Sequence, residues 1–226
     1  MRGNSFDIFL YIIILIIPIL AQIKVTKTYS KFKKVNNKNK LSGFEVARKI
    51  LDANGLDDIY VVETPGNLTD HYDPSRKVVK LSTDVFKGES IAAIAVAAHE
   101  CGHAIQDKDN YTFMRIRSSL VPIVNLVSSF SWYVILIGLF TEYFKIFAIG
   151  IALICIGLLF QLITLPVEFN ASKRAKIELE KLNLAESSET NQVKEVLGAA
   201  AFTYVAAVLT SVLEIIRLIS IFDDRR

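Results

Sequence analysis

Two of the three histidines in this 226-residue chain stand four residues apart, in His99-Glu100-Cys101-Gly102-His103. On a helix, residues i and i+4 share one face, so both imidazoles can reach a single Zn²⁺. The glutamate lies beside that face, where a carboxylate can take a proton from a zinc-activated water. The chemistry implied is hydrolysis. The pattern is short and arises in unrelated proteins, so its surroundings must decide whether it is a site.

A catalytic zinc needs three protein ligands and one open position. The pattern supplies two, and no histidine follows it, so the extended metzincin pattern is absent. Two residues remain as candidates for the third ligand, His71 and Glu168. Glu168 opens a polar stretch just after Pro166, an ordinary place for an acid favoured by a helix N-terminus. That same place follows a long apolar segment that returns the chain towards His103. His71 sits in a stretch rich in turn residues, Thr64 to Pro74, where a histidine is usually a turn or surface residue. His71 or its neighbour Tyr72 could instead donate a hydrogen bond to the oxyanion of a tetrahedral intermediate. The residues alone leave the third ligand open between Glu168 and His71. Cys101 reads as a small buried helix residue, because position i+2 points away from the i/i+4 face.

The elements that must position these residues are largely apolar. Hydrophobic residues make up 52% of the chain and its mean hydropathy is +0.38, which argues against a purely soluble protein. Ile8 to Ile23 is apolar and uncharged, bounded by Asp7 and Lys24. Its sixteen residues make roughly 24 Å of helix, which a flanking Phe6 and a snorkelling Lys24 extend. A cleaved signal peptide would need the opposite charge order and a small-residue cleavage site, so the segment reads as an uncleaved anchor. Residues 24 to 40 carry seven lysines and no acid. Beside an apolar segment, that cluster reads as an orienting membrane flank rather than a nucleic-acid site, and places residue 24 onward in the cytoplasm.

Ser42-Gly43-Phe44-Glu45 matches a capping box, and Gly55 closes the helix that follows. Ile59 to Val62 and Lys77 to Leu81 read as short strands, and Ser90 caps a helix from Ile91 to Gln106 that ends in the motif. Ser118 to Thr141 and Ile146 to Val167 carry no charge for 24 and 22 residues, each long enough to span a bilayer. The joint between them permits only a hairpin turn. After a polar helix to about Leu182 and a loop from Asn183 to Thr190, residues 197–222 read either as a fourth span or as an amphipathic helix. The two cysteines give no disulfide framework.

Taken together, GFEVARKILDANG (43–55), LTDHYDP (68–74), SIAAIAVAAHECGHAIQ (90–106), LPVEFNAS (165–172) and AFTYVAA (201–207) resemble the YugP-type bacterial membrane zinc metallopeptidases. The resemblance covers almost the whole chain. The layout is also similar to the membrane gluzincins, including the HtpX proteases and CAAX prenyl endopeptidases, in which a transmembrane hairpin separates the H-E-x-x-H helix from a glutamate ligand. That resemblance implies Glu168 as third ligand with His99 and His103. The wider group often has Asp four residues after that glutamate; here Ser172 stands there, so Ser172 or Asn170 is expected to support a ligand histidine instead.

The resulting expectation is a mainly α membrane protein with a small α+β cytoplasmic cap. Residues 1–23 form an anchor, 24–41 a basic linker and 42–117 the cap with the H-E-x-x-H helix. Residues 118–167 form the transmembrane hairpin, and 168–226 the third-ligand helix and a C-terminal hydrophobic helix. The function expected is a zinc endopeptidase with one catalytic ion and Glu100 as base, in the bacterial plasma membrane with its active site facing the cytoplasm. Its partners are the bilayer and an unfolded or membrane-proximal polypeptide, with no nucleic acid. Lys77 to Leu81, as an edge strand, would pair with the substrate backbone. A zinc hydrolase of lipid-linked amides or esters is the alternative enzyme, and a non-catalytic membrane scaffold the alternative outside catalysis.

Overall fold

The computed structural model describes the backbone of residues 2–224 and the side chains of residues 6–221. Ten elements follow in order: α1 (Arg2–Phe32), α2 (Gly43–Ala53), β1 (Tyr60–Thr64), β2 (His71–Asp73), β3 (Val78–Ser82), α3 (Thr83–Phe86), α4 (Ile91–Lys108), α5 (Thr112–Phe140), α6 (Phe144–Lys181) and α7 (Thr190–Asp224). They form two compact units. One comprises Met1–Gln22, Arg115–Pro166 and Phe202–Arg226, and the other Ile23–Met114 and Val167–Ala201. The expected segment 168–226 is therefore divided between them.

In the second unit, local signals act as the sequence suggests. Ser42 accepts from the Glu45 N–H while the Glu45 carboxylate accepts from the Ser42 N–H, a complete capping box. At the other end of α2, Gly55 takes φ +63°, and Leu56 N–H and Gly55 N–H reach the carbonyls of Leu51 and Asp52. This is the Schellman closure that glycine enables. Ser90 caps α4 by accepting from the Ala93 N–H. α2 lays Val46, Ala47, Ile50 and Leu51 against α4, and the same core takes in Val79 and Leu81 of β3, Ala175 and Leu179 of α6, and Val193 of α7.

The sheet corrects the expected role of Lys77 to Leu81. Strand order is β1-β3-β2, with β3 parallel to β1 and antiparallel to β2. β3 is thus the central strand, paired by β1 along its length and by β2 at Val78 to Lys80, and is not the open edge strand expected. Its own burial shows why: Val78, Val79, Leu81 and Ser82 are all buried, as in a strand covered on both faces. His71, expected in a loop, opens β2 and pairs with Lys80.

Two boundaries differ as well. The basic stretch 24–41 is not a free linker, because α1 continues helical to Phe32, whose ring is buried in the core. Beyond it Asn36 bridges to Ser90, and the Asn37 side chain donates to the carbonyls of Leu41 and Glu89. Glu168 does not start a helix, because α6 runs unbroken from Phe144 to Lys181 with Pro166 inside it. Proline lacks the N–H that would close one helical bond, a loss that long apolar helices tolerate. With no helix terminus near, a dipole at a helix start no longer accounts for Glu168.

In the first unit, α5 and α6 are joined by a tight turn in which Glu142 adopts φ 55°. Gly138 and Gly150 let the two helices approach, since a Cβ on either would fall 2.4 Å from Phe147 or Ile135. Among the described residues, four helices are long and apolar enough to cross a membrane: Phe6–Phe32, Thr112–Phe140, Phe144–Lys181 and Thr190–Ile221. The last of these meets the length and composition of a fourth span.

Candidate metal centre

Helix α4 is the centre of the second unit, and its composition makes that possible. Ala92, Ala93, Ala95, Ala97, Ala98 and Ala104 are all buried, so neighbouring elements press close on every side. The closest approach is at Gly102, where a Cβ would lie 2.6 Å from the Ala171 carbonyl oxygen of α6. Glycine inside the motif therefore brings α6 against the face that carries the two histidines. One turn of α6 before Ala171 stands Glu168.

The three side chains converge. Glu168 Oε2 lies 3.3 Å from His99 Nε2 and 3.6 Å from His103 Nε2. Candidate ligand atoms of all three lie within 4.8 Å of one another. Tetrahedral zinc, with nitrogen and oxygen ligands at about 2.0–2.2 Å, sets its donors roughly 3.4 Å apart. The donor set fits: two imidazoles nearly perpendicular to each other and one carboxylate, the latter 2% exposed. His71 is not part of this group. It lies exposed at the start of β2, with Nδ1 2.8 Å from the Thr69 carbonyl. The packing of α4 on α6 brings Glu168, and not His71, beside His99 and His103.

The electrostatics favour a cation. Burial alone would push His103 down, but the Glu168 carboxylate beside it, the charge of Glu100 and the Gln106 side chain hold it above the usual imidazole range. A setting that draws a proton to His103 draws a metal ion by the same field. Glu100 is buried, at 7% exposure, near enough for its charge to act on His103. Burial pushes the Cys101 thiol well above its usual range, and its S–H donates to the Ala47 carbonyl. It is an inert packing residue. Tyr72 gives its hydroxyl hydrogen to Asp107 of α4.

Around the ligands, Ser172 Oγ lies 3.2 Å from His99 Nδ1, and Asn170 Oδ1 accepts from both Gln106 and Arg174. Ser172 therefore touches a candidate ligand directly, while Asn170 reaches His103 only through Gln106. Gln106, whose Oε1 is 3.0 Å from His103 Nδ1, was missed. A signal existed: His99, His103 and Gln106 stand at i, i+4 and i+7, one helix face.

A chain with four membrane-length apolar helices, and a buried His-His-Glu cluster where an H-E-x-x-H helix meets α6, has the makings of a membrane metallohydrolase. The chain belongs to the family described as "Putative neutral zinc metallopeptidase", whose profile matches residues 7–223. It is 45% identical over 219 residues to the "Putative membrane protease YugP" of Bacillus subtilis (strain 168), a match covering 97% of each chain. No solved structure matches.

Proposed function

We propose that this chain is a membrane-bound zinc endopeptidase in which His99, His103 and Glu168 hold the ion and Glu100 moves the proton. The observation that carries the reading is the meeting of three ligand atoms from two helices, with Glu168 69 residues along the chain from His99. Family membership and the similarity to a membrane protease support it. So does the resemblance of the layout to membrane gluzincins, with a hydrophobic hairpin between motif and third ligand.

Zinc bound there supplies the Lewis acidity that makes water nucleophilic near neutral pH and polarises a carbonyl. Glu100 takes the proton from the attacking water and gives it to the leaving amine, so that peptide hydrolysis balances without another acid. Ser172 and Gln106 orient the ligand imidazoles. The substrate is polypeptide, unfolded or close to the membrane.

Metal content and cleavage of a denatured polypeptide, measured together, test this. Wild type and Glu100→Gln are expected to hold about one zinc, the variant losing roughly 10²–10⁴ in rate. Glu168→Ala is expected to lose most of its zinc. Full zinc in Glu168→Ala, or its loss in His71→Ala, sinks the ligand assignment. Hydrolysis of a lipid-linked amide but not of polypeptide reassigns the substrate class.

The lysines of residues 24–40 support a cytoplasmic site in a bacterial plasma membrane by the positive-inside rule. A reporter enzyme fused after Lys40 is expected to be active only in its cytoplasmic form. Activity of the exported form reverses the topology.

A further inference from the structure

Gln106 is fully buried, and its three partners allow its amide one orientation. The reasoning starts at Arg174, which only donates. Arg174 Nε lies 2.8 Å from the Asn170 side-chain oxygen, and Arg174 NH1 is paired with Asp109 at 2.6 Å. The Asn170 atom facing Arg174 is therefore the carbonyl oxygen. That oxygen also lies 2.9 Å from the Gln106 amide nitrogen, and the Val167 carbonyl lies 2.8 Å from the same nitrogen. Two acceptors fix the NH₂ of Gln106 towards α6. Its oxygen must then face His103 Nδ1, at 3.0 Å.

A carbonyl oxygen can only accept, so His103 carries its proton on Nδ1, and the neutral ring has its lone pair on Nε2. Nε2 is the atom turned to the metal centre. Its 3.6 Å separation from Glu168 Oε2 is too long for a competing hydrogen bond. Free histidine prefers the opposite tautomer. His99 differs, because Ser172 Oγ beside its Nδ1 can either donate or accept and dictates neither form.

We propose that Gln106, oriented by Asn170 and Arg174, is the positioning residue that holds His103 in the Nδ1–H form and so prepares Nε2 as a ligand. The proposal rests on the zinc reading for its purpose, but the tautomer can be measured without zinc.

The test uses the full chain in detergent micelles, labelled with ¹⁵N-histidine. Only three histidines contribute, and His71, exposed in β2, serves as an internal control. In metal-free wild type at a pH where the rings are neutral, His103 is expected as Nδ1–H. Gln106→Met removes the acceptor and is expected to shift His103 towards Nε2–H, leaving His71 unmoved, and to weaken zinc binding by about 10–100-fold in a chelator competition. Gln106→Glu keeps the acceptor towards His103 but loses the donor towards α6, so it is expected to hold the Nδ1–H tautomer even though it costs stability, which a packing defect alone would not do. His103 still Nδ1–H in Gln106→Met, or zinc bound as tightly as by wild type, overturns the proposal. A tautomer shift in a wild type and variant that both take up no zinc upholds the positioning and sinks the metal reading instead.

Discussion

Helix α4 and the α5–α6 hairpin are both apolar, yet they treat side-chain size and polarity in opposite ways. α4 buries small residues and presses other elements onto them, while α5 turns Leu126 and Tyr133 outward at 63% and 65% exposure. Both regions use glycine for close helix approach, Gly102 against Ala171 and Gly138 against Phe147. Polar groups separate them. In the hairpin, Ser129, Thr141 and Thr164 each donate to a carbonyl one turn back along the chain, at Asn125, Ile137 and Phe160. On α4, His99, His103 and Gln106 reach across to Glu168, Ser172, Asn170 and Val167 of α6. A helix facing lipid must satisfy its polar groups at home, whereas one inside a polar-lined core can use them to build a site.

The largest effect separating the two regions is expected from leucine truncation. Leu51 of α2 is fully buried in the core shared with α4, so Leu51→Ala is expected to cost about 2–5 kcal/mol through lost burial and the cavity left behind. Leu126→Ala removes a side chain whose surroundings outside the protein are as apolar as itself, and is expected to stay within about 0.5 kcal/mol. Unfolding by urea in detergent micelles measures both. Equal costs would show that the Leu126 face is a protein contact and would remove the contrast.

The legible parts of the chain were those set by local physics. The two serine caps, the Gly55 closure, the short α5–α6 turn and the histidine face of α4 each depend on a few adjacent residues. What stayed hidden depends on partners far along the chain. β2 is three residues long and is strand only because Val78 to Lys80 lie beside it. The centrality of β3 follows from pairings on both sides, which its own residues do not record. The lysines between 24 and 34 masked a helix whose buried anchor, Phe32, joins the core shared by α2, β3, α4, α6 and α7. Pro166 suggested a helix start at Glu168, because the rule that proline breaks helices is learned in water and relaxes in long apolar helices. Gln106 carried the right spacing, but glutamine in a helix is too common to single out before its three partners are seen.

A smaller and more selective effect is expected at the glycines. Gly102 has ordinary helical dihedrals, so its role is space alone: an added methyl would meet the Ala171 backbone oxygen at 2.6 Å. Backbone cannot rotate aside as a flexible side chain can, so α4 and α6 must move apart. Gly102→Ala is expected to cost about 1–3 kcal/mol, the range of overpacked cores. The separation also pulls His99 and His103 from Glu168, so zinc affinity is expected to fall further than the stability loss alone would bring. Gly157, in the apolar unit, has nothing within 4 Å of such a methyl, and Gly157→Ala is expected to leave stability equal or up to about 1 kcal/mol higher. Chelator competition on both variants, beside their urea midpoints, reads the two effects separately. If Gly102→Ala loses stability but holds zinc as wild type does, the ligands do not depend on how closely α4 meets α6. The centre would then be held by its own side chains rather than by helix packing.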